Sequence, residues 1–118
     1  MKMNKGGERM VRTFKETSNF RKKWNALGLT DDDLRVLQLV LLKNPKAGDT
    51  ISGSGGHRKI RIPVNNMGKS SSCRVIYIDV EIKECIYLVD IYAKSEKENL
   101  TEKEINVLKK IAVVLKEE

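Results

Sequence analysis

The chain has 118 residues, a length that suits one domain on one core, since two smaller pieces would each bury too little apolar surface. Lysine and arginine total 23 against 16 acidic residues, a net charge of +7, which favours an anionic partner over an acidic or neutral scaffold. A membrane span is excluded, because the longest apolar stretch, LQLVLL with its neighbours, is broken by Arg35, Gln38 and Lys43 and falls short of the roughly 20 residues required.

No basic segment followed by an apolar run and a cleavage site opens the sequence, so the expected location is cytoplasmic. Residues 1–10, MKMNKGGERM, carry three basic side chains and no apolar periodicity and read as a flexible basic extension, with one domain over 11–118. Val11 to Lys15 suits a short strand. Thr17 or Ser18 then caps a helix with Phe20, Trp24 and Leu27 at helical spacing, and Gly28 ends it.

Thr30 followed by Asp31, Asp32 and Asp33 puts a capping hydroxyl and three carboxylates at the positive end of a second helix. Its apolar residues, Leu34, Val36, Leu37, Leu39, Val40, Leu41 and Leu42, predict burial around much of its circumference. Asn44-Pro45 stops it. The run ISGSGG is a glycine-rich turn, and His57 to Val64 alternates basic and aliphatic residues as a half-buried strand does. NNMGKSSS is a polar loop. Arg74–Val80 and Ile86–Tyr92, with EIKE between them, read as an antiparallel hairpin. Thr101 and Glu104 form a capping box for a last helix with Ile105, Leu108, Ile111, Ala112 and Leu115 on one face. The order β-α-α-β-β-β-α predicts an α+β fold: an antiparallel sheet of about four strands with two N-terminal helices and one C-terminal helix.

The positive charge is not spread evenly, for residues 50–78 contain Arg58, Lys59, Arg61, Lys69 and Arg74 and no acid. Strand alternation points Ile60 and Ile62 to one face and Lys59 and Arg61 to the other. Two neighbouring cations on a rigid sheet repel unless an anion sits between them, although an edge strand protected by charge reads the same way. Tyr77 shares a face with Asp79, and Tyr92 with Asp90 and Lys94. With Lys59, Arg61 and Arg74 these tyrosines fit an RNA surface in which cations hold phosphates and rings stack bases, and they fit ordinary packing too.

Several patterns carry less. Gly68-Lys69-Ser70 resembles the end of a phosphate-binding loop, but Pro63 stands where its first glycine belongs. Cys73 and Cys85, the only cysteines, lie too far apart along the hairpin to bridge and are expected to be free thiols, and with the single His57 they cannot assemble a four-ligand zinc site. His57 beside the basic strand is a candidate acid or base, or an ordinary surface histidine.

The runs NPKAGDTISGSGGHRKIRI, GKSSSCRVIYI and IYLVDIYAKSE together resemble the HigB branch of the RelE-like toxins of bacterial type II toxin–antitoxin systems, from about Thr13 to the last helix. The resemblance implies a ribosome-dependent endoribonuclease that cuts mRNA in the 30S A site and halts translation. It implies no metal or other cofactor, the substrate's own 2′-hydroxyl attacking the adjacent phosphate. On matching positions, Lys59 and Arg61 would hold the scissile phosphate, with Lys59 a candidate for proton transfer. Arg74 would contact the phosphate or leaving group, Lys94 would add a cation, and Tyr92 would stack a base or orient the nucleophile. Arg58, His57, Lys69 and Tyr77 are expected to bind RNA around them. Where some members carry an arginine after the lysine matched to Lys94 and a tyrosine near the C-terminus, this chain has Ser95 and the residues around Thr101. The implied partner is a HigA-like helix-turn-helix antitoxin, with no membrane and no direct DNA contact by the toxin alone. The alternative is a non-catalytic RNA- or ribosome-binding module on the same cationic sheet.

Overall fold

In the computed structural model, which describes residues 11–64 and 71–117, a short strand β1 (Thr13–Glu16) leads into two helices, α1 (Ser18–Ala26) and α2 (Asp31–Lys43). The Thr17 hydroxyl accepts from the Phe20 amide at 3.0 Å and opens α1. Gly28, at φ +78°, turns the chain out of it. Thr30 and Asp33 cap α2 reciprocally: each side chain accepts from the other residue's backbone amide.

Four more strands follow: β2 (Asp49–Thr50), β3 (His57–Val64), β4 (Ser71–Val80) and β5 (Cys85–Ala93), with a 3-10 turn at Glu81–Lys83 closing the β4–β5 hairpin. The sheet order is β1-β5-β4-β3-β2. β1 runs parallel to β5 and the other pairs are antiparallel. The α+β class holds. The sheet departs from the expected antiparallel one of about four strands in two ways: it has five strands, gaining the two-residue edge strand β2, and it is mixed, because the other edge strand, β1, pairs parallel to β5.

Alternation sends side chains to two cores. Cys73, Val75, Tyr77, Ile86, Leu88 and Ile91 pack under α1 and α2 with Phe20, Trp24, Leu34, Leu37 and Leu41. Phe20 and Trp24 stack at 5.4 Å, a contact worth about 0.5–1.5 kcal/mol beyond burial. On the other face Ile76, Ile78, Val80, Tyr87 and Val89 pack against Leu108 and Ala112 of α3 (Glu102–Glu117), whose capping box is the expected Thr101–Glu104 pair.

The second helix departs from expectation. Only Leu34, Leu37 and Leu41 of α2 are buried, at the i, i+3, i+7 spacing of one stripe, whereas Val36, Leu39 and Val40 are 63%, 58% and 44% exposed. The reason is that α2 lies on the outside of a single helical layer, so the sheet can cover only one side of it.

Cys73 and Cys85 are both free and buried, one in each core, and burial pushes the Cys73 thiol up. No helix among the described residues is long and apolar enough to cross a membrane.

Candidate active site

On β3, Ile60 and Ile62 turn toward α1 and α2, so Lys59 and Arg61 face the α3 side of the sheet. The strand register then does what spacing alone could not. Arg61 stands directly opposite Arg74 on β4, and Arg74 stands opposite Tyr92 on β5, giving one cross-strand row. Lys59 is opposite Ile76, one step along, and the Lys94 amide continues the ladder to the Ser72 carbonyl at 3.0 Å. Four of the five expected catalytic residues therefore lie on two adjacent rows of the sheet, and Lys94 lies just past the end of β5.

Tyr92 reaches this face because of a β-bulge. Ile86 and Leu88 point to the α1/α2 core, and strict alternation would send Tyr92 there too. The register shifts between Ile76 and Tyr77, which pair with Asp90 and Leu88 and leave Val89 as the extra residue. Beyond it the parity is reversed, and Tyr92 joins the α3 side.

Two arginines directly opposite each other are mutually destabilising in a sheet. Among the described residues no carboxylate pairs with Lys59, Arg61 or Arg74; the nearest bond is Arg74 Nη1 to the Ser72 hydroxyl at 3.5 Å. Asp79 and Asp90 are engaged elsewhere, with Arg12 at 2.7 Å and Lys23 at 2.9 Å, and Asp49 of β2, which stands opposite Lys59 in the register, forms no ion pair with it. The row is a ready-made place for an anion.

At its end the Tyr92 hydroxyl is buried with no hydrogen-bond partner among the described residues, and the residue is 1% exposed. Burial pushes this hydroxyl above its ordinary pKa, while Arg74 and Lys97 pull it down; the net is upward, so at neutral pH it is a proton-bearing donor. The Lys97 ammonium sits 5.0 Å over the ring and is held there by Glu104. A base cannot stack on a ring so covered, and the Tyr92 hydroxyl, though unpartnered among the described residues, is itself buried in this structure. Lys97 is the residue missed in the sequence; its signal was a lysine between the end of a strand and the Glu of a capping box.

Three of the four expected RNA-binding residues are placed otherwise, and the fourth, Lys69, lies outside the described residues. Tyr77 is fully buried on the opposite face, where its hydroxyl donates to the Pro45 carbonyl at 2.8 Å and accepts from the Gly48 amide at 2.9 Å. It is a packing residue and not a surface ring. His57 is also fully buried, its Nδ1 2.9 Å from the Ser54 carbonyl, because the turn through Gly53, Gly55 and Gly56 folds over it against α3. Burial lowers its pKa, with Lys116 adding to the effect, so it is neither a surface histidine nor a reachable acid or base. Arg58, opposite Tyr77, donates to the Gly48 carbonyl at 2.7 Å and so holds β2, away from the cationic row. Among the described residues no group of three His, Cys, Asp or Glu side chains could hold a metal ion.

The chain is thus an α+β sheet with helices on both faces that sets Arg61 opposite Arg74 without an ion-pair partner among the described residues. Residues 11–118 match the family described as the RelE toxin of the RelE/RelB toxin–antitoxin system, and the chain belongs to that family. A solved structure of the E. coli toxin RelE, a double arginine-to-alanine mutant in the free state, shares the fold with a TM-score of 0.55 at 17% identity, covering 75% of this chain and 90% of that one.

Proposed function

We propose that this toxin is a ribosome-dependent endoribonuclease of the HigB branch, cutting mRNA in the A site by metal-independent attack of the substrate's 2′-hydroxyl. In that step a bond forms from the 2′-oxygen to phosphorus and the bond to the 5′-oxygen breaks. The 2′-hydroxyl loses its proton and the leaving oxygen gains one. Arg61 and Arg74 clamp the phosphate and stabilise the charge that builds on its oxygens in the transition state. Lys59, one row along, adds a third cation, and Lys94 a fourth near the end of the row. The Tyr92 hydroxyl donates to the phosphate or to the leaving oxygen. The single observation that carries this reading is the Arg61–Arg74–Tyr92 row, in which two facing arginines and an unpartnered hydroxyl converge.

Family membership implies an antitoxin partner, and we assign it to the HigA-like helix-turn-helix class. The chain's action is in the cytoplasm, where translating ribosomes are. The domain over 11–118 is proposed to suffice, with residues 1–10 dispensable for cleavage.

Primer extension on mRNA after brief expression tests the reading. Codon-phased new 5′ ends are expected from the parent chain, with Arg61→Ala and Arg74→Ala each slowed on the order of 100-fold on purified ribosomes. Cleavage at the parental rate in both variants would remove the assignment of the row, and arrest of translation without new ends would favour the non-catalytic binding module.

A further inference from the structure

Next to the cationic row the structure holds a cavity of about 220 Å3 between the start of α1, the bulge of β5 and α3. Its walls are apolar, from Ile76, Val89, Leu108 and Ile111, and its polar groups come chiefly from Asp90 and Asn19. Ile76 is two residues from Arg74 on the same face, roughly 7 Å along the strand. A phosphate held by Arg61 and Arg74 therefore has its own nucleoside within reach of the opening.

The hydrogen-bond inventory narrows the occupant. Asp90 Oδ1 accepts from Asn19 Nδ2 at 3.0 Å, Lys23 Nζ at 2.9 Å and the Ile91 amide at 2.8 Å. The Thr17 hydroxyl at the rim donates to the Val89 carbonyl. What remains uncommitted among the described residues is acceptor capacity, on Asp90 Oδ2 and the Asn19 amide oxygen. Charge narrows it again. Asp90 is neutralised by Lys23 and Glu104 by Lys97, so the cavity offers acceptors without net negative charge, which suits a neutral donor better than a guanidinium or ammonium.

We infer that this cavity receives a nucleobase of the bound RNA by its donor-bearing edge, and that guanine is the preferred base. The inference rests on the endoribonuclease reading of the neighbouring row. A base is flat, neutral and apolar on its faces, as the aliphatic walls require. Guanine alone has two adjacent donors, N1–H and the 2-amino group, on one edge; uracil has one N–H flanked by carbonyls that would meet the acceptors unfavourably.

Two measurements on the full chain test it. In the first, guanosine and uridine 5′-monophosphates are titrated while the methyl resonances of Ile76, Val89, Leu108 and Ile111 are followed. Guanosine monophosphate is expected to shift them at about tenfold lower concentration, the discrimination of one good donor–acceptor pair. Val107→Trp, which fills the rim from a half-exposed helix position, is expected to abolish the shifts. In the second, primer extension reads the bases around the cut sites: one fixed position should favour guanine in the parent chain, and Val107→Trp or Asp90→Asn should flatten that preference. Equal shifts from both nucleotides, or an unchanged cut profile in Val107→Trp, would overturn the pocket. So would N-acetylarginine amide shifting the same methyls at lower concentration than the nucleotide, which would assign the cavity to a protein partner. Guanosine-selective shifts from a chain that cuts no mRNA would overturn the endoribonuclease reading and leave the pocket standing.

Discussion

A buried hydroxyl without a partner normally costs stability, about 1–3 kcal/mol for the unpaired polar group. Tyr92 carries one, and a phenylalanine would fill the same space without that cost. Tyr92→Phe is therefore expected to melt at or above the parental temperature while cleaving on programmed ribosomes roughly 100-fold more slowly, the loss typical of one transition-state donor. Parental cleavage by this variant would remove Tyr92 from the reaction. His57 gives the opposite kind of residue, one buried for structure. Its folded pKa lies below the ordinary 6.5, so protons bind the unfolded chain more readily. Stability is then complete above pH 6.5 and declines as the pH falls through that value toward the lower folded pKa. Urea unfolding should give a lower midpoint at pH 5.5 than at 7.5, and His57→Asn should flatten the difference. The depressed Glu104 carboxyl acts only below its ordinary 4.5, so the two effects fall in separate pH windows.

At the scale of elements, the edge of the sheet beside Lys59 depends on a contact that leaves no room for a side chain. A Cβ on Gly48 would lie 2.7 Å from the Lys59 carbonyl oxygen and 2.9 Å from Tyr77 Cε1. Gly48→Ala is expected to cost about 1–3 kcal/mol by overpacking and to slow cleavage, because the atom it strikes belongs to the backbone that carries Lys59. Tyr77→Phe keeps the shape but leaves the Gly48 amide and Pro45 carbonyl without their shared partner, a cost of about 1–3 kcal/mol in unfolding free energy. Its cleavage rate under conditions where it is folded should stay near parental; parental stability with slowed cleavage would return Tyr77 to the RNA surface. These contacts explain what the sequence could and could not show. Helix caps, the β4–β5 hairpin and the alternation of Lys59 and Arg61 are local, and the residues themselves reveal them. The parity of Tyr92 depends on a bulge opposite Ile76, the burial of Tyr77 and His57 on segments that fold back over them, and β2 on pairing with a strand several residues away. None of these leaves a periodic trace, so the facing of Lys59 and Arg61 was legible while the surroundings of Arg58, Tyr77, His57 and Tyr92 were not.

At the scale of the whole molecule, the net charge of +7 is less important than where charge remains uncompensated. Arg12, Arg21, Lys23 and Lys97 each face a carboxylate and contribute little to long-range attraction. Arg61 and Arg74 face no acid among the described residues, Lys59 has Asp49 opposite it in the strand register but forms no ion pair with it, and Lys94 is exposed at the end of their row. If these four cations each neutralise one phosphate of a single strand, the logarithm of the binding constant should fall with the logarithm of salt at a slope of about −3, each contact contributing roughly −0.7. Raising salt from 50 to 200 mM then weakens binding on the order of 50-fold. Arg61→Gln should lower the slope by about one contact's share, whereas Lys23→Gln, which removes a cation already paired with Asp90, should leave it nearly unchanged. Filter binding of a short single-stranded RNA across that salt range measures both slopes. Equal slopes for the two variants would mean that the field is set by total charge and not by the row, and the placement of the phosphate between Arg61 and Arg74 would then lose its electrostatic basis.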